Sequence, residues 1–320
     1  MKINHWKATL AAGCLVAAAF TTSAAPLRRA DVAANPAWIA HVDFDALRPT
    51  AIGQHILGEM NKPEAQAKLA AFQAVVNLDL RTQIHGATIY DAGAAPEDGV
   101  LLVYADFDAD RLVTLAKAAN DSQNNTYKQH VIYNWIDDKK KAKNGVKPRV
   151  YAAIAGARVV FGQREDRVAQ ALDVLDGATP SLATSTLLPE LGAAGDVSFI
   201  EAAASRFDLP SADPNAAMFR LSKQGRLQLA DAQGRINGML SLEAKDDEVA
   251  GHIASIAQGL ISLLKLQQDK PESAKFAQAL TLKQEGPRVT ISLDMPATEV
   301  VELMKADAAR KAEKKASAAN

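Results

Sequence analysis

Paired strands followed by a helix, twice over, constrain this chain more than any other feature of its sequence. The clearest pair is "RVYAAIAGARVVFGQ", two runs rich in β-branched residues that turn at Gly156, with the helical "EDRVAQALDVLDG" directly after them. The second is "ALTLKQEGPRVTISLDM", turning at "QEGP" and followed by a helix starting at Ala297 and running to Met304. Strands that return on themselves through short turns pair antiparallel, and helices segregated after them pack on the sheet, so the expected class is α+β.

Reading outward from these hairpins gives two units with one rhythm. The first, 38–177, opens with the strand "WIAHVDF" and a helix from about Leu47, for which Asp45 is the expected cap. A second helix carries Pro63 in its first turn and Leu69, Phe72, Val75 and Val76 at helical spacing. The strands "IHGATIYDA" and "GVLLVYADF", a helix started by Asp108, the strand "HVIYNWID" and the Gly156 hairpin complete it, with its closing helix at Glu165–Leu175. The second unit, 196–306, begins with "DVSFIEA". Its "MFRLSKQGRLQLADAQGRINGMLSLEAK" reads as three strands turned at "KQG" and "AQG", before the helix "DDEVAGHIASIAQGLISLLKLQQ" and the last hairpin. The expectation is a duplication: two similar units, each an antiparallel sheet with helices packed on one face. Segments 25–37 and 178–195, the latter rich in Pro, Ser, Thr, Gly and Ala, read as linkers, and 307–320 as a charged tail that is either a fraying helix end or a disordered extension.

Residues 1–24 read as an export signal. Lys2 and Lys7 precede an apolar run from Thr9 to Phe20, and small residues follow. The run stops short of the ~20 residues a membrane span requires. Thr22 and Ala24 meet the small-residue rule for cleavage after Ala24, with Ala25 the second choice. "AAGC" resembles a lipobox, and membrane contact is expected only if Cys14 is lipidated; Ala11 stands where such a motif has leucine, and the apolar run continues past the cysteine. Cys14 is the only cysteine, so a chain cleaved after Ala24 has no disulfide and no thiol chemistry. The expected location is the periplasm or the exterior.

Composition then excludes partners. Without the leader there are 34 Lys and Arg against 37 Asp and Glu, a net charge of about −3, which does not suit nucleic acid. Aromatic residues are 5% of a chain that is 48% hydrophobic, so the core must be built from Ala, Leu, Val and Ile.

The polar candidates are few. In a strand, His41, Asp43 and Asp45 of "HVDFD" would share a face, with Val42 and Phe44 turned to the core. That donor set suits zinc or manganese, and a metal-dependent hydrolase is the alternative function. The competing account is a half-buried strand ending in a helix cap. Asp106, Asp108 and Asp110 are better read as a helix cap and first-turn acids than as a calcium loop, since the glycine and terminal glutamate of such a loop are missing. The basic run "DDKKKAKNGVKPR" places Lys139, Lys140, Lys141 and Lys143 on a surface that could hold an anionic partner, or on a solvated loop. No G-x-S-x-G elbow, Walker A loop, G-x-G-x-x-G turn or H-E-x-x-H helix occurs, and no cofactor is expected.

The layout resembles the exported, Ala-rich α+β proteins of unassigned function found in many bacterial genomes, with "GPRVTISLDMPATEVVELM" carrying the likeness most clearly. The resemblance covers most of the chain after the leader in rhythm only. It implies location and fold, and transfers no catalytic residue. Together these readings point to an exported, non-enzymatic, envelope-associated binding or scaffolding protein whose partner is unknown.

Overall fold

The computed structural model describes residues 25–91, 93, 95–142, 145–192, 197–207, 216–267 and 271–319. Twelve strands form one sheet, and every strand pair in it is antiparallel. In chain order they are β1 (Trp38–Asp43), β2 (Ile84–Asp91), β3 (Gly99–Ala105), β4 (Gln123–Tyr127), β5 (His130–Ile136), β6 (Arg149–Ala155), β7 (Arg158–Gly162), β8 (Ser198–Ala204), β9 (Ser222–Ala232), β10 (Arg235–Ala244), β11 (Leu280–Glu285) and β12 (Arg288–Pro296). The helices are α1 (Phe44–Leu47), α2 (Ala51–Met60), α3 (Pro63–Val76), α4 (Ala109–Ala118), α5 (Glu165–Leu175), α6 (Ala217–Arg220), α7 (Asp247–Lys265), α8 (Pro271–Gln278) and α9 (Ala297–Ala319). The protein is α+β, as the hairpin pattern implies.

The two sets of strands do not make two sheets. They join edge to edge, β1 against β8, in the order β11-β12-β10-β9-β8-β1-β2-β3-β7-β6-β5-β4. Read outward from this seam, each set runs first, second, third, last and next-to-last strand, and the β4–β5 hairpin extends one edge.

The sheet's two faces are covered differently. Alternation puts Ile39, His41 and Asp43 on one face and Trp38, Ala40 and Val42 on the other. On the second face, α1, α2 and α9 pack Leu47, Ile52 and Val300 around Ile200, Leu229 and Leu293, while α7 packs Ile253 and Ala257 against Leu240, Leu242 and Ile291. Helix α4 lies over Trp135 and Phe161 on this same helix face. Helix α5 departs from the expected one-sided arrangement. Its Val168 and Leu172 are buried against Val100, Leu102 and Val160 on the opposite face.

Over the first set of strands and the seam, that opposite face is also covered by the pair of segments expected to be linkers. Leu27, Val32, Leu182, Leu188 and Leu191 belong to the core cluster with α5, and Leu182 N–H donates to the Val32 carbonyl at 2.8 Å. The Arg29 guanidinium donates to the carbonyls of Leu182 at 2.8 Å and of Leu187 and Leu191 at 3.1 Å, and also to Leu188. Asp31 accepts from Arg158 at 2.6 Å and from the Tyr104 hydroxyl at 3.1 Å. Polarity and turn residues mark these segments as connections in the sequence; their few large apolar side chains, spaced far apart, seat them as a strap.

Other local differences have local reasons. Strand β9 runs unbroken through "KQG", so the expected three-strand meander has two strands. Gly225 is there for room: a Cβ at that position would stand 2.8 Å from a Phe207 ring atom and 2.9 Å from Leu242. At "AQG" the turn forms as read, with Gln233 at φ 58° and Gly234 at φ 76°. Helix α9 continues to Ala319, through most of the expected tail.

Candidate functional site

The polar candidates are built into the scaffold one by one. Strand β1 ends at Asp43, and the chain turns into α1, so Asp45 leaves the face it was expected to share with His41 and Asp43. Asp43, not Asp45, caps that helix, accepting from Ala46 N–H at 2.9 Å. The inside and outside of β1 are also reversed from expectation. His41 and Asp43 are the buried side, at 1% and 2% exposure, because the strap covers them, while Val42 is only partly buried.

His41 is fully engaged. Its Nε2 lies 2.9 Å from the Ala25 carbonyl, which can only accept, so Nε2 carries the proton; Nδ1 then accepts from the Thr88 hydroxyl at 2.8 Å. Burial lowers the imidazole pKa, opposed by the Ala25 carbonyl and Asp43. A ring held this way offers no lone pair to a metal. Asp45 pairs with Arg48 and lies 2.9 Å from His85 Nδ1, whose Nε2 reaches Asp106 at 2.9 Å. The two carboxylates raise the His85 pKa against the opposing effect of its partial burial. Among the described residues, no group of three His, Cys, Asp or Glu side chains converges as a metal site.

Asp108 caps α4, accepting from Arg111 N–H at 3.0 Å, as the sequence suggests. The basic run joins β5 to β6. Lys139 and Lys141 are exposed, Lys140 donates to Gln163 at 3.1 Å, Lys147 pairs with Asp138 at 3.1 Å, and Lys143 lies outside the described residues. The proposed signal and Cys14 lie outside them as well.

What the tertiary structure does assemble is apolar. Strand register aligns one residue from each strand except the edge strand β4 into a row across the helix face: Tyr133, Ala152, Phe161, Leu101, Ile89, Ala40, Ala202, Leu227, Leu240, Ile291 and Leu282. Every member is apolar. Helix α4 covers one end of the row and α7 the other, but nothing among the described residues covers its middle. There Ile89 is 40% exposed, Trp38 39% and Leu227 36%.

The uncovered middle is a trough of about 750 Å³ centred on the β1–β8 seam. Its floor is low because Ala40, Ala202, Ala204 and Gly225 put little above the backbone. Trp38, Leu227 and Leu240 rise from the sheet around them, and Phe207 and Phe219, with ring centroids 5.5 Å apart, form the wall on the side of the second unit. The volume lies within the ~300–1,000 Å³ of small-molecule sites, and the predominance of apolar side chains is typical of them. No sequence reading singled out these residues. Their one local signal is small side chains, Ala40 in "WIAHV" and the alanines of "EAAAS", which acquires meaning only when β1 and β8 lie side by side.

No protein-family model and no curated protein matches the chain. Among solved structures it is similar to the protein TP0453 in crystal form III, with TM-score 0.49 and 11% identity over 89% of this chain and 99% of that one. Crystal form I of TP0453 gives TM-score 0.44 and 12% identity, over 89% and 98% of the two chains. A likeness at that level carries no information about activity.

Proposed function

We propose that this is an exported, non-enzymatic binding protein of the cell envelope, and that its ligand is an elongated, mainly apolar small molecule held in the seam trough. The observation that carries the reading is the trough itself, a large apolar concavity open to solvent at the centre of a sheet whose flanks are covered. A large, well-formed apolar pocket is where a protein of this kind takes a ligand. From β2 across β1, β8 and β9 to β10 is four inter-strand spacings, or ~19 Å, so the trough suits a chain lying across the strands. Each methylene buried there contributes about 0.8 kcal/mol. Among the described residues, the side chains lining the trough include no pairing of nucleophile and base, which favours binding over chemistry. Export rests on the leader, and the close packing of Ala25 and Leu27 suits a mature chain beginning at Ala25.

The test uses a chain-like fluorescent probe, dansyl-undecanoic acid, titrated into the protein lacking residues 1–24. Saturable binding with energy transfer from Trp38 is expected, and Ala202→Phe, which raises the trough floor, should weaken it by about tenfold or more. Equal affinity in Ala202→Phe and wild type, or no saturable binding, would exclude the trough as the site. Circular dichroism of the variant separates a blocked site from a misfolded one.

A further inference from the structure

A second apolar cavity lies on the helix face, under α4 and outside the trough. It measures about 310 Å³, is partly open to solvent, and is lined by Leu112, Val113 and Ala116 of the helix and by Tyr133, Trp135 and Phe161 of strands β5 and β7. Among the described residues its lining carries no charged side chain. A partly open concavity of this volume lies at the lower end of the ~300–1,000 Å³ range of small-molecule sites, and its apolar lining is typical of them. Helix α4 is seated accordingly: none of its residues is buried, against five in α5. Water against its apolar walls is released when an apolar guest enters, which favours binding.

We propose that this cavity is a binding site in its own right, for a small uncharged aromatic molecule of about two fused rings. Size sets the upper limit, since a void of ~150 Å³ admits benzene and this one is about twice that. Three aromatic side chains in the wall favour a flat ring, which they can meet edge-on or offset-stacked. The lack of any charged side chain in the lining disfavours ionised ligands, because a charge brought from water against apolar walls loses hydration and gains no counter-charge. The site is separate from the trough: on the apolar row, Leu101 and Ile89 stand between Phe161 and Ala40, which are three inter-strand spacings, or ~14 Å, apart. The inference rests on this cavity alone and does not depend on the trough holding a ligand.

Outside the leader the chain has two tryptophans, Trp38 in the trough and Trp135 in the cavity, so each site has its own reporter. In a Trp38→Phe protein lacking residues 1–24, the uncharged bicyclic probe 7-methoxycoumarin should quench Trp135 saturably. Filling the cavity with Ala116→Phe should weaken that binding by about tenfold or more, as should replacing the probe with the ionised coumarin-3-carboxylate, whereas Ala202→Phe in the trough should leave it within about twofold. Ala152→Leu fills the cavity from the sheet side and serves as the second variant if Ala116→Phe does not melt cooperatively. Absence of saturable quenching, unchanged affinity in a folded cavity-filling variant, or equal loss in Ala202→Phe would each overturn the assignment.

Discussion

His41 illustrates how one side chain can look like chemistry and serve architecture. It is buried with its two nitrogens on the Ala25 carbonyl and the Thr88 hydroxyl, so it ties the strap to strands β1 and β2. Its pKa in the folded protein is lowered, chiefly by burial, so below the unfolded value of ~6.5 the unfolded chain binds a proton that the folded chain resists. The stability His41 contributes is therefore present above about pH 6.5 and is lost as pH falls below it, at up to ~1.4 kcal/mol per pH unit. His85 acts in the opposite sense. Its pKa is raised, so its contribution is present below about pH 6.5 and lost as pH rises through the folded value, but its partner Asp106 is 70% exposed and the pair is screened by solvent. Thermal melts from about pH 7.5 to about pH 5.5 should show a falling melting temperature, and His41→Gln, which can donate and accept at the same two places, should remove most of the fall. The same fall in the variant would assign it to other groups. From the sequence, His41 and Asp43 could be read as an exposed polar edge because β1 alternates; only the strap, arriving from outside the unit as read, decides which side of the alternation is buried.

At the scale of elements, what is local was legible and what depends on a neighbour was not. Asp108, Pro63, the "AQG" turn and the "QEGP" hairpin act through backbone geometry and capping within a few residues, and each appears where the sequence places it. Strand β4, "QNNTY", gave no apolar alternation because it is an exposed edge held by β5 alone. Gly225 was read as a turn residue, and its actual reason, the close approach of Phe207 and Leu242, is invisible without the fold. Helices α4 and α5 make the contrast measurable. Both are amphipathic and of similar length, but α5 buries Val168, Ala169, Ala171, Leu172 and Val174 while α4 buries none and bridges a cavity. Local opening follows buried apolar contact, so amide hydrogen exchange should be faster in α4 by at least about tenfold, and an uncharged aromatic guest should slow it. Equal protection in the two helices would show that α4 is held by more than its seating on the sheet.

The whole molecule is one sheet with a seam, and the seam is its most consequential join. Five residue pairs connect β1 to β8, and the core cluster beneath α5 includes Ala203 from across the seam. The strap, held through Arg29 to the segment between the units, ties the same place from the other face. Shared core and shared sheet couple the two sets of strands, so calorimetry should give one cooperative unfolding transition. Two separated transitions would show that the sets unfold as independent units, as the reading of two domains supposes.

The sequence by itself determined the class of fold, the hairpins and most helix starts, because strand alternation, turn chemistry and capping act over a few residues and survive in any context. It also set the export reading, which rests chiefly on the leader. The tertiary structure decided that the two sets of strands share one sheet, that the apparent linkers are a strap over the buried polar side of β1, and that the uncovered apolar side is a trough. Those outcomes depend on register between strands more than 150 residues apart, such as Ala40 opposite Ala202, and on which face a distant segment covers. No local pattern carries that information, because the same alternating strand satisfies its own hydrogen bonds whichever side is buried.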